Sequence, residues 1–132
     1  MYYAVTMNFK NTKQKGSYAL AQCIAKLYSL GYEVLLPVGD RQPYDLVFDD
    51  GKHLYKVQVK YAGLYKNGQC KVGLRITGGN QSNNYAKKYQ DNDFDYLYVC
   101  TSSFKQYLIK WGETKNRNEI TIEDPKYTKY LI

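Results

Sequence analysis

The feature that most narrows the fold is Asp49-Asp50-Gly51, set between two β-prone runs. An Asp-Gly pair accepts the positive φ angles of a tight hairpin turn. The run before it, Tyr44–Phe48 (YDLVF), and the run after it, Leu54–Lys60 (LYKVQVK), both read as strands. In the second, Val57 and Val59 share one parity, while Lys56, Gln58 and Lys60 share the other. A chain with this centre must build a sheet around an antiparallel hairpin.

Upstream, Leu20, Cys23, Ile24, Leu27 and Leu30 recur at three- and four-residue spacing, an apolar stripe that predicts a helix from about Thr12. Asn11 or Thr12 is a candidate cap, and Gly31 supplies a left-handed stop. Tyr32–Pro37 reads as a further strand, followed by a turn-rich loop over 38–43. Downstream, 61–68 reads as a connection, 70–76 as a fourth strand and 77–84 as a loop. A short helix or turn is expected over 85–90, and a hairpin joins strands 95–101 and 105–111 around Ser102-Ser103. Pro125 blocks a helix through the tail. The fold class expected is α/β in the broad sense, an α+β mixed sheet with one long helix against it. A single domain over 1–132 is expected, with its core at about 12–111, a short N-terminal arm and a C-terminal tail.

Charge narrows the function. The 132 residues carry a formal net charge of +7, which favours a polyanionic partner. No Asp or Glu occurs in 1–32 or in 51–90, so the lysines and arginines there can form one continuous basic face. The 16 tyrosines suit either base stacking or the half-buried surface of a sheet, and the second reading is favoured for any one of them. No apolar run reaches the length of a membrane span, and the N-terminus lacks the order of a signal peptide. Three separated cysteines fit neither a disulfide framework nor a zinc cluster, and one histidine excludes a His-based zinc site. The cysteines read as small core hydrophobes, His53 as a surface residue, and the setting as intracellular.

Closing the hairpin on its Asp-Gly turn brings Asp45 on one strand to Gln58 and Lys60 on the other. The Val59 carbonyl lies between them if the strand is distorted there. A carboxylate, an amide oxygen and an ammonium at one sheet end suit phosphodiester hydrolysis. A hard divalent ion takes oxygen ligands, and a neighbouring lysine orients the water or stabilises the phosphate. On spacing alone, a plain surface ion pair is the favoured reading of these residues. Lys87, Lys88 and Arg75 are candidate phosphate contacts that position DNA without reading it.

Lys15-Gly16, the 31–40 run GYEVLLPVGD, Tyr44-Asp45-Leu46-Val47 and Val57-Gln58-Val59-Lys60, in that order and spacing, resemble the PD-(D/E)XK nuclease superfamily. The closest look-alikes within it are group I intron homing endonucleases of this fold and archaeal Holliday junction resolvases. The resemblance implies a restriction-endonuclease-like αβββαβ core and a Mg2+-dependent DNA endonuclease, in which Mn2+ can substitute. It implies Asp45, Gln58 and Val59 as metal ligands, with Asp45, Gln58 and Lys60 catalytic. Gln58 stands where most of the superfamily has an acid, a departure shared with the intron-endonuclease branch. Asp40, Ser17 and Gln22 are candidate accessory residues; Lys13, Lys15, Arg41, Lys66, Arg75, Lys87 and Lys88 are candidate DNA contacts. The partner implied is duplex or branched DNA, bound by a homodimer or higher symmetric oligomer, with no membrane. Related enzymes carry a Glu on the first helix where this chain has Leu20. Two outcomes follow from that departure: an enzyme with weak metal affinity, or a protein that binds DNA without cutting it.

Overall fold

The computed structural model describes residues 8–65, 67–79, 84–114 and 118–132, with side chains of 76–79 and 84–87 outside the description. Helix α1, Thr12–Ser29, starts where Asn11 accepts the N–H of Gln14 through its side chain and stops at Gly31, whose φ is 89°. Strands β1 (Glu33–Leu35), β2 (Leu46–Asp49) and β3 (Leu54–Leu64) form an antiparallel meander, with Gly51 at φ 93° in the turn between the last two. Strands β4 (Cys70–Gly73), β5 (Arg75–Gly79), β6 (Asn84–Lys88), β7 (Tyr96–Thr101), β8 (Gln106–Lys110) and β9 (Glu119–Thr121) follow, with 3-10 turns at Trp111–Glu113 and Pro125–Tyr130.

β3 is the axis of a seven-stranded mixed sheet: β2 and β4 pair with it antiparallel, and β7 runs parallel to it from Val57↔Tyr96 to Ala62↔Thr101. The period-2 alternation read from the sequence sorts the side chains of β3 and β7 into two layers. Val57, Val59, Tyr98 and Cys100 pack under α1 against Ala19, Cys23 and Leu27. Ala62, Leu97 and Val99 face the opposite layer, built from Phe94, Ile109, Trp111, Ile120, Ile122 and Tyr127. Most described tyrosines pack rather than project: Tyr32 stacks on Phe48 at 4.9 Å, and Tyr55 and Tyr96 meet edge to face at 5.5 Å. The three cysteines are free and buried.

The class is the expected one, with differences downstream of β3. The connection expected over 61–68 is partly strand, since β3 continues to Leu64. The fourth strand breaks at Leu74, whose N–H turns away to the Asn118 carbonyl at 2.8 Å, leaving β4 and β5 as separate elements. The helix or turn expected over 85–90 is instead β6 through Lys88, paired with β5 in a two-stranded ribbon. The second helix of the αβββαβ pattern is therefore replaced, among the described residues, by a hairpin. The core passes the expected limit near residue 111, because Ile120, Ile122 and Tyr127 are buried. Of the loop expected over 77–84, residues 77–79 and 84 are strand, while 80–83 and the N-terminal arm lie outside the described residues.

Candidate active site

Backbone groups alternate between the two edges of a strand. The bonds Asp45 N–H to Val57 carbonyl and Tyr65 N–H to Gln69 carbonyl therefore put β2 and β4 on one edge of β3. β2 pairs as far as Val57 and β4 begins at Gly63, so among the described residues no strand fills the edge between. Into this gap the Val59 N–H donates to Asp45 Oδ2 at 2.8 Å. The carboxylate thus lies in the plane of the sheet, taking the place of a strand carbonyl. The Val59 carbonyl points to the same edge.

A bulge produces this placement. Leu46 faces Val57 in the register, yet the Asp45 N–H also reaches the Val57 carbonyl at 2.8 Å. Asp45, just before β2, and Leu46, its first residue, both stand against Val57 of β3, which turns the chain entering the strand and re-aims the Asp45 side chain. Gln58 and Lys60 share the face opposite Val57 and Val59, and both are half-buried. Lys60 Nζ stands over the ring of Tyr89, 5.3 Å from its centroid.

Electrostatics tie these groups together. Burial pushes the Asp45 carboxyl up from its ordinary range, against the Val59 hydrogen bond and the Lys60 charge, which pull it down. Burial pushes the Lys60 ammonium down, and Asp45 partly restores it. The Tyr89 hydroxyl is pushed up to about 12 by burial and then by the Asp45 and Asp93 carboxylates. Cys23, under the helix, also rises through burial and the Asp45 charge. Asp45 is thus felt from both layers of the fold.

The oxygen donors offered are one carboxylate, one amide and one peptide carbonyl, with no imidazole. That set suits a hard ion that completes its shell with water and phosphate. Among the described residues no group of three or more His, Cys, Asp and Glu could hold a metal, so an ion here would depend on a single carboxylate.

The accessory candidates stand apart from this cluster in character. Ser17 is exposed on α1, Gln22 is half-buried, and Leu20 packs into the core layer under the helix. Asp40 and Arg41 are exposed in the loop between β1 and β2. Lys13 and Lys15 are exposed on the first turns of α1, and Lys15 Nζ lies 5.9 Å from the Tyr61 ring centroid. Arg75 and Lys88 are exposed and directly opposed across the β5–β6 ribbon. Lys66 and the side chain of Lys87 lie outside the described residues. Lys15, Tyr61, Tyr65 and Lys71 line a cleft of about 300 Å³ along β3 just past Lys60. The residue that sequence reasoning missed is Tyr89: nothing local marks it, because its partner is 29 positions away on another strand.

No curated protein matches the chain. Among solved structures it is similar to a bacterial homing endonuclease, I-Ssp6803I, at 30% identity and a TM-score of 0.77, over 92% of this chain and 88% of that one. Residues 10–129 match the PD-(D/E)XK endonuclease family. With the in-plane aspartate, the split sheet and a match over nearly its whole length, the chain belongs to the PD-(D/E)XK endonuclease family.

Proposed function

We propose that this nuclease is a metal-dependent DNA endonuclease of homing type, acting at the Asp45–Lys60 cluster. The observation that carries the reading is the Asp45 carboxylate held in the sheet gap on the Val59 N–H at 2.8 Å. Asp45, Gln58 and the Val59 carbonyl would hold Mg2+ or Mn2+. When bound, such an ion supplies a polarised water and offsets charge growing on the phosphate. Lys60 acts on the attacking water; burial, by disfavouring its charged form, makes its Nζ readier to give up or pass a proton. Lys13, Lys15, Arg41, Arg75 and Lys88 hold the DNA backbone, giving position without sequence. Two strands need two sites, so the working form is a homodimer or higher symmetric oligomer. The likeness to a bacterial homing endonuclease supports duplex DNA over a four-way junction as substrate.

The test is nicking of supercoiled plasmid and of a four-way junction, with Mg2+ or Mn2+ and with EDTA. Nicking is expected only with metal, reduced about 100-fold or more in Asp45→Ala and Lys60→Ala. Cleavage that survives both substitutions would move the site elsewhere. A second reading, DNA binding without cutting, draws on the absence of any carboxylate before Glu33, with Leu20 packed into the core. Metal-independent binding with no nicking of any substrate would establish it instead.

A further inference from the structure

A lysine that acts on a water must be held still, and four flexible methylenes make that costly. Asp45 attracts the Lys60 ammonium but does not close on it. The ion pairs formed among the described residues, Lys71–Glu119 at 3.5 Å, Lys105–Glu123 at 3.8 Å and Lys129–Glu113 at 3.8 Å, include neither Lys60 nor Asp45. The Lys60 ammonium stands instead 5.3 Å from the Tyr89 ring centroid, inside the roughly 6 Å range of cation–π attraction.

The ring is itself fixed. Tyr89 is 7% exposed and meets Phe94 edge to face at 5.0 Å and Trp111 at 6.2 Å. The Trp111 indole N–H donates to the Gln90 carbonyl at 3.2 Å, and the Gln90 N–H to Asp93 Oδ2 at 2.7 Å. The residue after Tyr89 is therefore clamped on both its backbone groups. A rigid aromatic wall, anchored in the second core layer, faces the longest and most flexible side chain of the cluster.

We propose that Tyr89 is a positioning residue for the nuclease reaction, its ring face holding the Lys60 ammonium beside Asp45. This rests on the role given to Lys60 above. The ring's electrons carry the effect, and the hydroxyl is dispensable. Tyr89→Phe keeps the cleavage rate within about three-fold of the parent.

Phenylalanines with one, two and three ring fluorines at position 89 keep the shape while draining the ring face of charge. They lower the single-turnover nicking rate of supercoiled plasmid progressively, to about three- to thirty-fold below Tyr89→Phe. DNA affinity stays level through the series and the melting temperature falls by a few degrees at most, through loss of the attraction itself; the graded fall in rate at constant DNA affinity is what packing alone does not produce. Lys60→Met is measured alongside. A flat rate across the fluorine series, with Lys60→Met inactive, overturns this inference and leaves the assignment of Lys60 standing. A fully active Lys60→Met overturns both.

Discussion

Asp45 carries two demands that pull against each other. Its carboxylate satisfies the Val59 N–H at a point where the sheet has lost a strand, yet burial disfavours its charge. Asn can make the same hydrogen bond through its amide oxygen without the charge. Because the folded-state pKa of Asp45 is raised, the folded protein binds the extra proton across the window between the ordinary carboxylate range and that raised value. Wild-type stability therefore falls as pH rises through that window, and Asp45→Asn lacks this component of the fall. Melting curves should show Asp45→Asn at least as stable as wild type at neutral pH, with the gap closing in acid, while plasmid nicking drops about 100-fold or more. A variant less stable at neutral pH would mean the charge is welcome in the fold and the burial argument is wrong. At this scale the sequence was largely legible: hairpin arithmetic alone brings Asp45 to Gln58 and Lys60. The bulge was not, because it lies in how the chain entering β2 meets Val57 on the neighbouring strand. Tyr89 was not either, because its ring face meets the Lys60 ammonium only once the segment after β6 is laid beside β3.

β3 is the element on which the site depends, and its register is set at the Gly51 turn. Gly51 has φ 93°, and a Cβ built there meets nothing within 4 Å. The cost of Gly51→Ala is therefore conformational and not a steric clash with neighbours, about 1–2 kcal/mol. Gly39, also with open space around its Cβ and no positive φ, is the control. There the same change should be neutral or stabilising by about 0.4–1 kcal/mol, through the unfolded chain. Urea unfolding of the two variants measures both, and equal effects would exclude the turn as the source. The Asp-Gly turn and the helix stripe were readable because their signals are local. The segment over 85–90 misled because NYAKK has no strong period of its own; it becomes β6 by pairing with β5, a non-local decision. The break at Leu74 likewise follows from a backbone bond to Asn118, far along the chain.

Among the described residues, the charge around β3 has a direction. Glu33 and Asp49 face each other in register, and with Asp50 they gather at the turn end of the β2–β3 hairpin around a pocket also lined by Tyr28 and Tyr32. Asp45 lies four residues back from Asp49, about 13 Å away at strand rise. Beside that opposite end stand Lys15, Lys71 and the half-buried Lys60, with Lys15 and Lys71 lining the cleft next to Tyr61. These charges favour a polyanion at the site end over the turn end, and the net charge of +7 is expected to orient it there. Affinity for a plasmid fragment, measured against salt, separates the two ends. Removing one side chain that neutralises a phosphate should reduce the slope of log K against log salt by about 1. Lys15→Ala and Arg75→Ala are expected to do so and to weaken binding to unrelated sequences alike. Lys52→Ala, an equal charge on the exposed turn beside Asp50, is expected to leave the slope unchanged. An equal effect from all three would mean that DNA senses only the total charge, and that the basic face does not orient it over Asp45.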